Sequence, residues 1–288
     1  MRSLSYRPGD EMRSLLFVPG DRPDRFAKAA ASGADGLILD LEDSVSAERK
    51  AVAREAVAAF LSHRHALPLL VRVHLGSLDE DLKAMLPLRP DAIVLPKAEG
   101  APSIAPLVPK LEGIKLLPIA TETPRAVFAL GSYVDVAPHL IGLTWGAEDL
   151  PAAIGATASR DSDGRLTPPY EMVRALTLFG AHAARVDAIE TVYPDINDTA
   201  GLKAYAQRGR RDGFSGMLAI HPAQVSIINA AFSPSATELA WARRVVAAFA
   251  AQPGTGAIQL DGKMLDRPHL SQAETILART GKTHEKQS

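Results

Sequence analysis

The chain has 288 residues, 47% of them hydrophobic, enough for a large core in one domain or two. Its 32 Lys and Arg against 33 Asp and Glu leave it almost neutral, which gives no support to nucleic acid or a membrane surface as a partner. With no cysteine it has no disulfide, thiolate metal ligand or cysteine nucleophile. Residues 1–11 are polar with no apolar leader segment, and no run of 18 apolar residues occurs, so a soluble, cytoplasmic protein is expected.

Short β-type runs alternate with helical stretches along the chain. The first predicted strand, residues 15–18, is followed by Asp21, Arg22 and Arg25. The second, 36–41, carries Asp40 near its end with Glu42 and Asp43 beyond, and an alanine-rich helix spans 47–61. Strands over 69–74 and 92–96 follow; the first holds Arg72 and His74 in an otherwise apolar run, and the second leads to Lys97. The fifth, 116–120, stops at Glu122, where Thr123-Pro124 offers an N-cap with proline at the first helical position, whose missing N–H costs nothing there. The sixth, 140–145, leads to Glu148 and Asp149; a helix over 170–185 precedes the seventh, 188–193, with Asp195 after it. The eighth, 217–220, ends at His221, and Ser235-Ala236-Thr237-Glu238 is a capping box opening a helix through Phe249. Beyond lies a segment of another kind: a hinge at Gly254-Thr255-Gly256, a loop through Asp266 to Pro268 and a helix over about 270–279, with disorder expected in the last few residues.

Eight continuously apolar strands interleaved with helices predict a parallel sheet covered on both faces. The economical arrangement is an α/β protein, a (β/α)8 TIM barrel over residues 1–252 with a C-terminal lid extension at 253–288. An open doubly wound sheet is the alternative, but no Gly-x-Gly-x-x-Gly turn follows the first strand. In a barrel the strand-end charges share one mouth, where active sites of this fold sit.

Glu122 and Asp149 each stand where a strand stops. If those strands are parallel neighbours, their ends lie roughly 5 Å apart, close enough for the two carboxylates to hold one hard cation. Asp40 and Glu42 share a face by alternation and would bind the ion's waters or hold Arg72 and Lys97. An unpaired guanidinium is costly inside a barrel, so Arg72 either forms a buried ion pair with Asp40 or Glu42 or binds an anionic oxygen of a ligand. His74 shares Arg72's face and either touches that ligand or is a core histidine. Lys97 is a counter-ion to the acids or a substrate contact. Asp43, beside Ser44 and Ser46, reads as a turn residue, and Glu148 as a supporting or helix N-terminal one.

Leu16-Phe17-Val18-Pro19-Gly20-Asp21-Arg22-Pro23, Leu39-Asp40-Leu41-Glu42-Asp43-Ser44-Val45, Val71-Arg72-Val73, Leu95-Pro96-Lys97, Glu122-Thr123-Pro124 and Gly146-Ala147-Glu148-Asp149 occur in this order. Carrying them, the chain resembles the citrate lyase β-subunit family, within the HpcH/HpaI aldolase group that includes malyl-CoA and citramalyl-CoA lyases. The resemblance runs over about residues 13–272. It implies a TIM barrel, a divalent metal (usually Mg²⁺, with Mn²⁺ as the other candidate), a CoA or acyl-carrier thioester substrate with a 2-oxo acid, and reversible carbon–carbon cleavage. It gives Arg72 a developing oxyanion to stabilise, and the phosphates of a thioester substrate give Arg22, Arg25 and His221 a ligand, though two surface charges and a His-Pro turn are the plain reading of these three. It also implies a homo-oligomer, often a trimer, in which Asp266 closes the adjacent subunit's site and exchanges a proton with the acyl carbon, a task that needs a pKa raised by shielding. One departure is His74, where relatives often have the Asn of Arg-Val-Asn, and it bears on the substrate's identity. The alternatives are a citrate lyase β-subunit using a citryl-acyl-carrier thioester and a binding subunit that keeps the site without turnover.

Overall fold

The structure is a computed structural model that describes residues 12–278. The polar N-terminal residues 1–11 and the tail expected to be disordered, 279–288, lie outside the described residues. In chain order the elements are β1 (Ser14–Pro19), α1 (Pro23–Ala30), β2 (Gly36–Asp40), α2 (Lys50–Leu61), β3 (Leu69–Arg72), α3 (Leu78–Met85), β4 (Ala92–Leu95), α4 (Ala101–Ile104), β5 (Lys115–Pro118) and α5 (Pro124–Ala129). They continue with β6 (Gly142–Thr144), α6 (Asp149–Ile154), α7 (Pro168–Ala183), β7 (Asp187–Glu190), α8 (Thr199–Asp212), β8 (Gly216–Ala219), α9 (Pro222–Phe232), α10 (Ala236–Ala250), β9 (Ala257–Leu260), β10 (Lys263–Asp266) and α11 (Arg267–Ala278).

All eight predicted strands are present and pair in parallel in the order β5-β4-β3-β2-β1-β8-β7-β6. The two edges, β5 and β6, meet through Ile141 N to Leu116 O at 2.9 Å and Ala120 N to Thr144 O at 2.8 Å, so the sheet is a nearly closed barrel. From β2 to β8 the strands end one to three residues short of the apolar run, although Leu41, Val73, Ile119 and Ala120 still donate their backbone N–H to the neighbouring strand. The inward face packs Leu15, Ile38, Leu70, Val94, Leu117, Ile189 and Leu218 into one cluster. Two residues further along β1, β2 and β3, the same period-two alternation brings Phe17, Asp40 and Arg72 to the mouth.

Local signals are realised where they carry a mechanism. Thr123 Oγ1 accepts from Ala126 N at 3.1 Å, with Pro124 opening α5, and Ser235 and Glu238 form the reciprocal capping box of α10. The helix expected over 47–61 begins with a 3₁₀ turn, Ala47–Arg49, before α2. The helix expected at 170 starts at Pro168, since consecutive prolines suit a first turn.

The described residues divide into two compact units that meet at Ala230 and Ala231, where composition alone had put the division at 252. In the second unit Ala242, Val245 and Phe249 of α10 form one apolar cluster with Ile258, Leu265 and Ala273, so α10 is needed to cover the segment after it. The loop expected around Asp266 is an antiparallel hairpin, β9 with β10, turning on Asp261 (φ 52°) and Gly262 (φ 75°). Positive φ at both central residues is the geometry that Asp-Gly favours in a two-residue hairpin loop. The terminal helix begins at Arg267, three residues before its predicted start. Among the described residues, no helix is long and apolar enough to cross a membrane.

Candidate active site

A cavity of about 280 Å³ opens at the C-terminal ends of the strands, lined by Asp40, Arg72, Glu122 and Asp149 among others. Asp40, 1% exposed at the end of β2, accepts from Arg72 Nε at 2.6 Å and Nη2 at 2.7 Å. It also takes Glu42 N at 2.9 Å and Ser44 Oγ at 2.5 Å. Burial opposes its charge, yet the guanidinium, the hydroxyl and the amide together hold its pKa below the usual value. The ion-pair reading of Arg72 is therefore what the structure contains, and Phe17 stacks on the same guanidinium at 4.8 Å. Its Nη1 lies 3.0 Å from Glu42 Oε2 and 3.6 Å from Asp43 Oδ2, neither in a well-aligned hydrogen bond.

Behind this pair Glu42 reaches Lys97 Nζ at 2.7 Å. Burial raises the Glu42 pKa although both cations pull it down, and Glu42 keeps Lys97 protonated against its own partial burial. Lys97 has φ 51°, a left-handed conformation rare for a side-chain-bearing residue, which turns its backbone N–H onto Glu122 Oε2 at 2.5 Å. Glu122 is 4% exposed, with Asp149 in hydrogen-bonding contact. Burial first, then the neighbouring acid, raises its pKa from the usual 4.5 to about 8. Gly146 makes room for it: a Cβ there would meet Glu122 Cγ at 2.8 Å.

The chain turns into α6 at Asp149, so Glu148 and Asp149 both line the cavity instead of pointing to opposite sides. Among the described residues no group of three or more His, Cys, Asp or Glu converges as a ready metal cage. Two carboxylates are what the protein offers. Such a set fits Mg²⁺, which keeps several waters or substrate oxygens, and a carboxylate such as Glu122, whose charge burial and Asp149 disfavour, is what a divalent ion relieves.

A second cavity, of about 420 Å³, shares Phe17, Pro19 and Ile220 with the first and is lined by Arg25, Lys28 and His221. Arg25 and His221 are thus together, while Arg22 turns away to pair with Asp24 at 2.8 Å on the surface. Lys28 was missed, although it lies three residues from Arg25 on α1 and so on the same face. His74 does not line the first cavity; its Nδ1 lies 3.2 Å from Ser77 Oγ, because β3 ends at Arg72 and the chain turns before His74 can share that face. Asp266 belongs to the second unit, 46% exposed, with His269 Nδ1 2.6 Å from its Oδ1. That partner lowers its pKa, opposite to the rise a proton donor needs.

Residues 13–222 match the HpcH/HpaI aldolase/citrate lyase family. The chain belongs to this family. A citrate lyase subunit beta-like protein of Mycobacterium tuberculosis is 38% identical over 274 residues, spanning 92% of this chain and 94% of that protein. The mitochondrial citramalyl-CoA lyase of Homo sapiens is 32% identical over 291 residues, spanning 92% and 84% respectively. The crystal structure of CitE from Mycobacterium tuberculosis in complex with magnesium, acetoacetate and coenzyme A matches with a TM-score of 0.82 and 36% identity, covering 95% of this chain and 99% of that one. Phe17, Pro19, Asp40, Arg72, Glu122 and Asp149, which lie in or directly after β1, β2, β3, β5 and β6, all line the first cavity.

Proposed function

We propose that this protein is a Mg²⁺-dependent carbon–carbon lyase that cleaves or forms a 3-hydroxyacyl-CoA thioester of the malyl-CoA or citramalyl-CoA type. The observation that carries the reading is the convergence of Glu122, Asp149 and Arg72 on one small cavity, beside a second cavity lined by cations. The relatives' names and the magnesium, acetoacetate and coenzyme A of the CitE complex agree with it.

Cleavage between the second and third carbons leaves a thioester enolate on one fragment and a 2-oxo acid on the other. Glu122 and Asp149 would hold a divalent cation, which would supply a Lewis acid to the reaction. Arg72, fixed by Asp40 on two nitrogens, keeps Nη1 to donate to the acid's carboxylate or to the enolate oxygen. Glu42 and Lys97 hold that arrangement from behind, and the Lys97 N–H fixes one Glu122 oxygen, orienting the carboxyl beside Asp149. Arg25, Lys28 and His221 face the thioester's phosphates in the adjoining cavity. Asp266 of a second copy, in a homo-oligomer such as a trimer, exchanges the proton at the acyl carbon. Covering by that copy is what would raise a pKa held low by His269 in the exposed hairpin.

Arg72→Lys keeps the charge and loses the fork, so kcat should fall by at least about tenfold, the scale of one oriented oxyanion contact. Steady-state kinetics at saturating Mg²⁺ measure it, and unchanged values would leave Arg72 a structural ion pair only.

The metal-free protein should also respond to pH through Glu122. Its folded pKa of about 8 lies above the ordinary 4.5, so the native state binds a proton that the unfolded chain has released. Stability should therefore fall as pH rises from about 4.5 to about 8, and Mg²⁺ affinity should rise over the same window as the proton leaves. Thermal melts with and without Mg²⁺ across this range test it; parallel, flat profiles would remove Glu122 from the metal site.

A further inference from the structure

We propose that Glu190 is a positioning residue that fixes Trp145 and, through it, the segment Gly146–Asp149 that carries one of the two metal carboxylates. The inference rests on the metal-site reading above and extends it to a residue outside the cavity. Glu190 ends β7 with no exposed surface, and its carboxylate is surrounded by donors from three other parts of the barrel. Trp145 Nε1 donates to Oε1 at 2.6 Å and Tyr205 Oη to the same oxygen at 3.0 Å, while Arg174 Nε donates to Oε2 at 2.7 Å. Thr191 N closes the set at 3.1 Å.

The charge balance is local. Arg174, 4% exposed, shares its guanidinium between Glu190 and Asp212, at 2.8 Å, and lies 4.8 Å from the centre of the Phe214 ring. A plain structural ion pair would be complete with Arg174 and Asp212. The indole is the additional element, since Trp145 is fully buried, lines the candidate active-site cavity, and is followed directly by Gly146 and then Asp149. On the other side of the same carboxylate, Thr191 and Val192 also line that cavity. One buried group therefore ties together the two adjacent walls that follow β6 and β7. An indole turned by this bond sets where Gly146 lies against Glu122, and so the approach of the two carboxylates.

Three variants separate positioning from mere stability. Trp145→Phe removes the indole N–H, keeps an aromatic ring and leaves the Glu190–Arg174 pair intact; Glu190→Gln removes the charge, and Glu190→Asp keeps it. Mg²⁺ titration of the purified protein is the primary readout, with melting temperature beside it. Since only Trp145 and Trp241 are tryptophans, a Trp241→Phe background makes indole emission a report on Trp145. Trp145→Phe should weaken Mg²⁺ binding by about tenfold, the scale of losing an outer partner of a metal ligand, in a protein that stays folded at the titration temperature although the lost buried contact lowers its melting temperature. Glu190→Gln should weaken Mg²⁺ binding at least as much and expose the Trp145 emission to acrylamide quenching, and Glu190→Asp should recover part of the affinity. Wild-type Mg²⁺ affinity in Trp145→Phe would overturn the proposal even if Glu190→Gln unfolds. A wild-type protein that binds Mg²⁺ but turns nothing over would contradict the lyase reading alone, because the metal titration needs no turnover.

Discussion

Glu122→Gln and Asp149→Asn should each weaken Mg²⁺ binding by at least about a hundredfold, beyond the 10–100-fold typical of groups that only support a ligand, and take turnover down with it. The Glu122→Gln protein should keep its fold. Glu122 is a buried carboxyl beside a second carboxyl, and its neutral form is already favoured below pH about 8. Glutamine keeps the shape and an acceptor for the Lys97 N–H while removing the like-charge pair. The metal-free Glu122→Gln protein should therefore melt at or above the wild-type temperature near pH 8, even as activity disappears. Loss of activity with loss of fold would say that Glu122 is a structural residue, and wild-type turnover at low Mg²⁺ would remove the pair from the metal site.

The second large effect belongs to Asp266. Asp266→Asn or Asp266→Ala should abolish turnover with little change in Mg²⁺ affinity, because the group does not belong to the metal pair. Its own chain leaves it half exposed on a hairpin with His269 beside it, an environment that favours the charged carboxylate. A proton donor needs the opposite, so the proposal requires a second copy to cover it. Asp266→Ala mixed with Arg72→Ala, after dissociation and reassembly, should regain part of the activity, since some sites then receive Arg72 and Asp266 from different intact chains. Proven mixed oligomers without any recovery would assign Asp266 to its own subunit or take it out of the chemistry.

The barrel was legible because each strand is an apolar run that stops at a charge, and all eight exist where the runs are. Their ends were harder to place, since hydrophobicity continues past the strands into residues such as Val73, buried with its N–H still on Val94 O, and Val192, which lines the mouth. That error decided two assignments. Extending β3 to residue 74 put His74 on Arg72's face, and extending β7 to residue 193 hid Glu190 inside a strand and promoted Asp195, which is an exposed turn residue accepting from Asn197 N and Asp198 N.

The pairing of Asp40 with Arg72 was an open choice in the sequence, because a carboxylate two residues from another on one face offers the guanidinium two equal partners. The structure separates them: Asp40 takes the bidentate edge and Glu42 is shared with Lys97. The hairpin of the second unit had a signal that went unused, the Asp261-Gly262 pair between Ile258 and Leu265. The boundary at Ala230 had none, because α10 resembles the barrel helices in its alanine-rich composition and differs only in what it covers.

Turnover of the purified protein with acetyl-CoA or propionyl-CoA and glyoxylate or pyruvate, with Mg²⁺ and again after chelation, tests the lyase activity most directly. The product is read as the intact 3-hydroxyacyl-CoA thioester, and the reverse reaction as release of the 2-oxo acid with the shorter acyl-CoA. Condensation and cleavage should occur with at least one pair, be lost on chelation and return with Mg²⁺. No carbon–carbon bond made or broken with any pair, by a folded protein that binds Mg²⁺, would contradict the lyase reading.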